Sequence, residues 1–318
     1  MAAVPSTFTE EQIAAFLTLI GLPSKLQKQR YNNDAAADLH LLQQLHIHAI
    51  STVPYENLTL HYNKTHTITI KPQLSYAKIV TDGRGRGGYC MENSIFYNHI
   101  LRGLGFPAYL AAVRIRHRVD GVPQGGYSGW VHLVNLVTLS DGTRWAVDVG
   151  FGGDGATEPI QLVRNKPQTN LGPQQIRLFR DHIPTPEQKW NSFFAFNETE
   201  ATERDFHNIN SYAGSHPESF PTFTCIIMKF LRRLRPGHGS DQEIYGKRTL
   251  VSGIVKENLG GKTKKWFGIT FTDEEVEGIK GWGTELRDGP PATEDAQDEI
   301  WRVRRGKQLK LEYQESIA

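Results

Sequence analysis

The sequence predicts an α+β fold, and the order of its helical and strand-like segments supports this. The first hundred residues carry apolar side chains at helical spacing, whereas strand-like runs begin after Gly105 and again after Thr222. Strands that follow helices in blocks, without alternating with them, favour an α+β architecture over a parallel doubly wound sheet.

Three helices are predicted in the first hundred residues. A capping box at Thr9–Gln12 starts the first helix, which ends near Gly21. Apolar residues at helical spacing predict a second helix from about Asp34 to Ile50 and a buried third helix from Met91 to Gly103. A glycine-rich loop over residues 82–88 leads into the third helix.

Six strands are predicted in the rest of the chain, and the last three are expected to pair antiparallel. They span Tyr109–Arg116, Trp130–Leu139, Arg144–Phe151, Phe223–Met228, Arg248–Val255 and Trp266–Phe271. Ser140-Asp-Gly142 is a predicted hairpin turn between the second and third strands. Thr272 is expected to cap a short helix, and the polar tail from Asp288 is expected to wrap the surface.

Composition and charge exclude several classes of protein. The 318 residues include 36 Lys and Arg against 34 Asp and Glu, so a nucleic-acid partner is not expected. The chain lacks an apolar run of membrane-spanning length, and its start lacks the pattern of a signal peptide. The two cysteines, Cys90 and Cys225, exclude a disulfide framework and favour a reducing compartment, so we expect a cytoplasmic protein without a membrane partner.

Cys90 is the first candidate for chemistry. It follows Arg84-Gly-Arg-Gly-Gly88 and stands at the start of the predicted third helix. The positive end of the helix dipole and the nearby arginines favour the thiolate, which is the nucleophilic form. A small apolar residue at a helix start is the alternative interpretation. Cys225 lies in a strand without an adjacent base or glycine loop, and it is expected to be an inert core residue.

His132 and Asp148 are the candidates for the base that a thiolate nucleophile needs and for the acid that orients this base. Each lies in an otherwise apolar strand, where an unpaired polar side chain costs stability. A two-residue turn would place them on opposite faces of the hairpin. A three-residue loop, Ser140-Asp-Gly142 with a left-handed glycine, pairs His132 with Gly150 and makes Asp148 its diagonal neighbour on the same face. A hydrogen-bonded structural histidine is the alternative interpretation.

Four sequence blocks together resemble the arylamine N-acetyltransferase family. In chain order they are Val53-Pro-Tyr-Glu-Asn-Leu58, Arg86-Gly-Gly-Tyr-Cys90, Trp130-Val-His132 and Asp148-Val-Gly-Phe-Gly152. The resemblance implies that Cys90 is the nucleophile, His132 its base and Asp148 the orienting acid. It also implies a ping-pong reaction, in which Cys90 takes an acetyl group from acetyl-CoA as a thioester and passes it to an arylamine or arylhydrazine, a detoxification of xenobiotics.

The same resemblance implies an architecture of three parts around a cysteine-protease-like core. Residues 1–105 would form a helical subdomain with the nucleophile, residues 106–221 an antiparallel β-barrel subdomain with the histidine and aspartate of the triad, and residues 222–318 an α/β lid with a C-terminal tail. Coenzyme A enters as a cosubstrate, and no metal or permanently bound cofactor is implied. His46 and His48 lack partner ligands at metal spacing and are expected on a solvated helix face.

Further site residues are implied by matching positions. Ser128, Gly129 and Tyr212 match coenzyme A contacts, and Val131 and Phe151 match residues that line the acceptor pocket.

The resemblance also implies an ion pair between Arg86 and Glu56 that shapes the glycine-rich loop. The family usually has an asparagine four places after the cysteine, whereas here Asn93 is at three places and Ser94 at four, so neither is assigned a role. The segment 164–216 and the long tail are similar to those of fungal members.

The sequence allows more than one acyl donor and more than one reaction class. Some fungal members use malonyl-CoA, and Arg84 or Arg114 are candidate cations for a malonyl carboxylate. A thiol hydrolase or transglutaminase would use the same three residues, and a binding protein that has lost turnover would keep the fold.

Overall fold

The computed structural model describes residues 5–119, 122–178, 192–251, 254–261, 263–267 and 312–314. These residues form helices and antiparallel sheets, which confirms the predicted mixture of both. The helices are α1 (Glu10–Leu19), α2 (Ser24–Gln27), α3 (Ala35–Thr52), α4 (Leu58–Tyr62), α5 (Pro72–Tyr76), α6 (Cys90–Gly103), α7 (Glu203–Ser215) and α8 (Phe220–Phe223). The strands are β1 (Tyr55–Glu56), β2 (Ala108–Val119), β3 (Val122–Thr138), β4 (Arg144–Val147), β5 (Ile160–Gln161), β6 (Gln168–Thr169), β7 (Gln175–Ile176), β8 (Phe194–Phe196), β9 (Ile226–Leu234), β10 (Gln242–Val251), β11 (Ile254–Leu259), β12 (Thr263–Phe267) and β13 (Glu312–Gln314).

The three predicted N-terminal helices are present, and the first begins at the predicted capping box. Thr9 and Gln12 form the capping box of α1, and the Asp34 side chain accepts the backbone N–H groups of Ala36 and Ala37 at the start of α3. Both caps supply acceptors for N–H groups that have no partner within the helix, which fixes where each helix begins.

Helix α6 is the centre of the core, because every residue from Cys90 to Leu101 is buried. On one side its Phe96 ring meets Phe16 of α1, with ring centroids 5.0 Å apart. On the other side Asn98 donates a 2.8 Å hydrogen bond to Asn135 of β3. A helix covered on all sides has little freedom to shift, so its first residue is held in a fixed position.

Strands β5, β4, β3, β2 and β8 form a five-stranded antiparallel sheet in that order. The β-barrel expected for residues 106–221 was wrong for the described residues, because the edge strands β5 and β8 do not pair with each other. A barrel closes only when its first and last strands share hydrogen bonds, and these two edge strands have only two and three residues. The cysteine-protease-like core stays a prediction.

Strands β1, β9, β10, β11, β12 and β13 form a second, six-stranded antiparallel sheet in that order. The predicted single strand Arg248–Val255 was wrong, because the chain reverses between Val251 and Ile254, which are paired residues of β10 and β11. The Ser252-Gly253 pair is the turn signal in the sequence that this prediction overlooked. Tyr55 and Glu56 of β1 pair with β9, so this sheet includes residues from the N-terminal region.

Some predictions fall on residues outside the described part of the chain. These are the helix capped by Thr272, the end of the strand predicted over Trp266–Phe271, and the tail from Asp288 except Glu312–Gln314, which pair with β12. Among the described helices, none combines the length and the apolar character needed to cross a lipid bilayer.

Candidate active site

The hairpin of β3 and β4 has the register that the three-residue loop predicts. Asn135 pairs with Val147 and Thr138 with Arg144, and Gly142 has a φ of 80°. Because this register keeps His132 and Asp148 on one face, their side chains meet, and Nε2 of His132 lies 2.7 Å from Oδ2 of Asp148. The predicted pairing of the two polar side chains is confirmed.

The imidazole of His132 is held in a defined orientation and charge state. His132 and Asp148 are 1% and 7% exposed, and Oδ1 of Asp148 accepts the backbone N–H of Gly150 at 3.0 Å. Burial lowers the pKa of His132, but the charge and hydrogen bond of Asp148, helped by Cys90, outweigh burial and raise the pKa to about 10. The ring therefore favours the protonated form.

Cys90 is the first residue of α6, and its thiol lies beside His132. The sulfur Sγ is 3.8 Å from the backbone oxygen of Val131, and Cys90 contributes a hydrogen bond to the imidazole. Nε2 of His132 is occupied by Asp148, which leaves Nδ1 for the thiol. Cys90, His132 and Asp148 thus form a contiguous row in the order thiol, imidazole and carboxylate.

A β-bulge at Val131 contributes to this arrangement. Val113 pairs with His132 but its neighbour Arg114 pairs with Trp130, so β3 has one extra residue at this point. A bulge locally bends a strand and changes the direction of the adjacent side chains and carbonyls. Here the extra residue is the one whose carbonyl lies against the Cys90 thiol.

Close backbone packing holds the start of α6 in place. A Cβ atom on Gly150 would lie 2.8 Å from the oxygen and 3.0 Å from Cα of Cys90, so only glycine lets the segment after Asp148 approach Cys90 this closely. A Cβ on Gly87 would lie 1.9 Å from the oxygen of Pro54. The C-terminal end of the glycine-rich loop is therefore closely packed, since Gly87 has no room for a side chain.

Buried ion pairs stabilise the glycine-rich loop and the first turn of α6. The predicted ion pair between Arg86 and Glu56 is confirmed, with Nη2 of the arginine 3.0 Å from Oε1 of the glutamate, and both side chains are buried. Lys78 also pairs with Glu92 in the first turn of α6. Burial raises the pKa of Glu92, and the charge of Lys78 only partly offsets this.

Two supporting residues were missed by reasoning from the sequence. The Asn93 side chain donates to the backbone oxygens of Gly88 at 2.7 Å and Pro54 at 3.2 Å, and so ties the loop to α6. Glu92 accepts the N–H of Tyr89 and completes a cap of α6. The glutamate three residues after a helix start was a capping signal that could have been found.

The residues that were matched to the acceptor pocket lie next to the imidazole. The Phe151 ring meets the His132 ring edge-on, with centroids 5.1 Å apart, and packs against Phe193 and Phe194 at 4.7 Å and 5.4 Å. Val131 is the bulge residue beside the thiol. This corner of the site is therefore aromatic and apolar.

The residues that were matched to coenzyme A contacts lie at more open positions. Ser128 is half-buried on β3, and Gly129 is exposed with nothing within 4 Å of where a Cβ would stand. Tyr212 of α7 is 42% exposed and stacks on His216 with ring centroids 4.5 Å apart. Within the described part of the chain, Tyr212 stacks on His216 and makes no contact with Cys90, His132 or Asp148.

The expectation for His46 and His48 was wrong, because both are buried. His46 bonds the oxygen of Ala156 at 3.0 Å and His48 the oxygen of Ile20 at 3.0 Å, and burial lowers the pKa of each to about 4. They are neutral structural histidines of α3. Among the described residues, no group of three or more potential ligands is arranged to hold a metal ion.

Known proteins are similar to this chain over most of its length. Residues 38–235 match a family model described as N-acetyltransferase. N-malonyltransferase FDB2 of Fusarium pseudograminearum is 28% identical over 328 residues, which cover 86% of this chain and 93% of that protein. N-malonyltransferase FDB2 of Gibberella moniliformis is 30% identical over 272 residues, 76% of each chain.

The fold also has a counterpart among solved structures. The structure of Mycobacterium marinum arylamine N-acetyltransferase in complex with CoA superposes with a TM-score of 0.64, covering 92% of this chain and 94% of that one at 19% identity. At this identity the likeness concerns the fold alone.

Proposed function

Since this chain belongs to the arylamine N-acetyltransferase family, we propose that it transfers an acyl group from an acyl-coenzyme A to an aromatic amine through a thioester on Cys90. The observation that carries the proposal is the row of three side chains, in which Asp148 holds His132 and His132 adjoins the thiol. Such a row activates a cysteine and then moves protons for the second nucleophile.

The first half-reaction needs a thiolate and a base that holds the proton of the thiol. His132 takes the proton of Cys90, and Sγ attacks the thioester carbon of the acyl-coenzyme A. A carbon–sulfur bond to Cys90 forms, the bond to coenzyme A breaks, and coenzyme A leaves as a thiol with the proton from His132. The raised pKa of His132 favours the imidazolium that this step requires.

In the second half-reaction the amine takes the place of coenzyme A. Its nitrogen attacks the acyl carbon, His132 takes the proton that the nitrogen loses, and the amide leaves while Cys90 is regenerated. Phe151 and Val131 offer an apolar, aromatic surface beside the imidazole, which suits an aromatic ring. For coenzyme A we retain Ser128, Gly129 and Tyr212 as proposed contacts, at the open end of β3 and on α7.

The acyl group has two candidates. Acetyl is the group that the family is named for, and the two fungal relatives named N-malonyltransferase support malonyl as the second candidate. We also retain, as a proposal, the division into a helical part over 1–105, a sheet-rich part over 106–221 and a lid with the tail over 222–318.

The test is to incubate the purified chain with acetyl-CoA or malonyl-CoA and 4-methoxyaniline. Intact-mass spectrometry without the amine is expected to show one acyl group on Cys90, and chromatography with the amine is expected to show the N-acyl product. Cys90→Ala should lose at least ~10³-fold in kcat/KM, and Cys225→Ala, the matched control, should stay within about twofold.

Two outcomes would contradict the proposal. Equal turnover by Cys90→Ala would exclude the thioester route. Release of the free acid with no acylated amine would indicate a thiol hydrolase, which uses the same three residues.

A further inference from the structure

Charged side chains of both signs lie together next to the first turn of α6. They come from four segments of the chain and are Glu56 of β1, Lys78, Arg86 of the glycine-rich loop and Glu92 of α6. Three of them are buried, and the Lys78 side chain is 16% exposed. Two carboxylates thus face two cations with little access to water, and removal of any one leaves a charge that is hard to compensate.

Lys78 is a cation that pairs with Glu92. Its Nζ lies 2.5 Å from Oε1 of Glu92 and 3.8 Å from Oε1 of Glu56. It belongs to a π-helical turn, Ala77–Thr81, whose Ile79 is buried in the core cluster that also contains residues of α6. Burial raises the pKa of Glu92, the charge of Lys78 lowers it, and Glu56 raises it further, so Lys78 favours the ionised form of Glu92.

Glu92 connects this pair of charges to Cys90. Its Oε2 accepts the backbone N–H of Tyr89 at 3.2 Å, and Cys90 is the next residue. A Cβ on Gly88 would lie 2.8 Å from the same oxygen, so the backbone before Cys90 packs directly on the carboxylate. Glu92 and Cys90 are two residues apart in the first turn of a buried helix, where charges interact more strongly than in water.

Cys90 also faces two tyrosines and the His132–Asp148 pair. Burial raises the pKa of Tyr55 and of Tyr89 well above the ordinary value, so both phenols stay neutral. The imidazolium of His132, held by Asp148, favours a thiolate at Cys90. A carboxylate in the same turn that had no cation beside it would oppose the thiolate, because like charges raise the pKa of an acid.

We propose that Lys78 is a positioning residue of the reaction, which cancels the charge of Glu92 and so keeps the thiolate of Cys90 available for attack on the acyl donor. Lys78 acts through Glu92 and does not touch the reacting atoms. Its effect on turnover rests on the proposed function, whereas its effect on the ionisation of the Cys90 thiol can be measured without an acyl donor.

The test is the pH dependence of Cys90 alkylation by iodoacetamide, followed by peptide mass spectrometry, which separates Cys90 from Cys225. Lys78→Met leaves a buried negative charge, so the midpoint of its profile should rise by about 0.5 to 1 pH unit. Glu92→Gln leaves an extra positive charge, and its midpoint should fall by a similar amount. The double variant is balanced again and should return to within about 0.2 pH unit of wild type.

Lys71→Met is the matched control. It removes an exposed lysine directly before α5 and should leave the midpoint of Cys90 alkylation unchanged. With an acyl-coenzyme A at a pH below the midpoint, the rate of acyl-enzyme formation should fall about 3- to 10-fold in Lys78→Met, because the thiolate fraction falls by that factor. The double variant with Glu92→Gln should recover this rate.

Opposite shifts of the two single variants distinguish a charge effect from loosened packing, which would not change sign with the charge that is removed. Folded Lys78→Met and Glu92→Gln variants with the midpoint of wild type would overturn the role of Lys78. If thermal melts show that Lys78→Met does not fold, Glu92→Gln and the double variant decide in the same way, since the second change must reverse the shift of the first. The expected midpoint shifts in a chain that forms no acyl-enzyme would overturn the proposed function alone.

Discussion

The two cysteines carry the same thiol in different surroundings. Cys90 is the first residue of α6 and lies beside His132, whereas Cys225 precedes β9 and has no imidazole partner among the described residues. Burial, with a smaller contribution from the charge of Glu56, raises the pKa of the Cys225 thiol to about 12, and a hydrogen bond with Tyr62 offsets only part of this. The prediction that Cys225 is inert agrees with this direction.

Burial of a thiol and the presence of a neighbouring cation have opposite effects on its ionisation, and the two cysteines differ in the second. Both thiols lie mostly within the protein, since Cys90 is 7% exposed and Cys225 is half-buried. Burial alone disfavours a thiolate, because a charge loses its hydration in the interior. What Cys90 has in addition is a cation beside the sulfur, and Asp148 keeps that cation charged. Removal of Asp148 should therefore reduce the difference between the two sites more than any other single change outside Cys90 and His132.

We expect Asp148→Asn to lower kcat/KM about 10³- to 10⁴-fold. The asparagine has no charge to hold the imidazolium, so the pKa of His132 should fall and the ring should lose its fixed orientation. Steady-state turnover with the better acyl donor measures the effect. Asp141→Asn, an exposed acid in the turn of the same hairpin, is the matched control and should stay within about twofold. If Asp148→Asn kept a tenth of wild-type activity, the row of three would not be the catalytic unit.

The close packing of Gly150 against Cys90 gives a second test of how the surroundings of Cys90 differ from those of Cys225. In Gly150→Ala the new Cβ would lie 2.5 Å from Oγ of Ser94 and 2.8 Å from the oxygen of Cys90, so the nucleophile or the segment after Asp148 must move. A displacement of about 1 Å at a reacting group can cost about 10²-fold in rate.

We therefore expect a fall in kcat/KM of about 10²-fold for Gly150→Ala, measured in the same assay. Gly126→Ala is the matched control, because nothing lies within 4 Å of its added Cβ, and it should behave as wild type. Equal activity of the two variants would show that the position of Cys90 tolerates movement.

The hairpin at the site was predictable because its determinants are local. The length of the loop between β3 and β4 sets the register, and the register decides whether His132 and Asp148 share a face. The same holds for the capped starts of α1 and α3, where the side-chain acceptor lies within three residues of the N–H that it satisfies.

Features that depend on contacts between distant segments were not predictable in this way. His46 and His48 were expected in solvent, because α3 alone does not reveal that Arg232 of β9 and Gln242 of β10 bond to it. The prediction of a β-barrel was wrong for a related reason. Whether edge strands pair depends on their lengths and not on the alternation of side chains within each strand.

The buried polar groups around Asp148 give the smallest of the expected effects, and it depends on pH. His46 is completely buried, bonds the oxygen of Ala156 after the Asp148 segment, and burial lowers its pKa to about 4 from an ordinary value of 6.5. The unfolded chain therefore binds a proton between pH 6.5 and 4 that the folded chain does not. Because stability rises with pH wherever the unfolded state binds more protons, lowering the pH from 6.5 towards 4 destabilises the fold through this residue, and the loss is complete only below the folded pKa.

We expect this one group to contribute a loss of about 2 kcal/mol in the free energy of unfolding between pH 7 and pH 5. His46→Gln keeps an N–H donor for Ala156 but cannot take up the proton, so its stability should fall less over this range by that amount. Urea unfolding followed by tryptophan fluorescence at pH 7, 6 and 5 measures both proteins, with equal m-values as the control for a two-state comparison. If the two free energies fell in parallel, His46 would not be held neutral by the fold. A difference that grows steadily from pH 7 to pH 5 would show that burial in the fold keeps His46 neutral in acid.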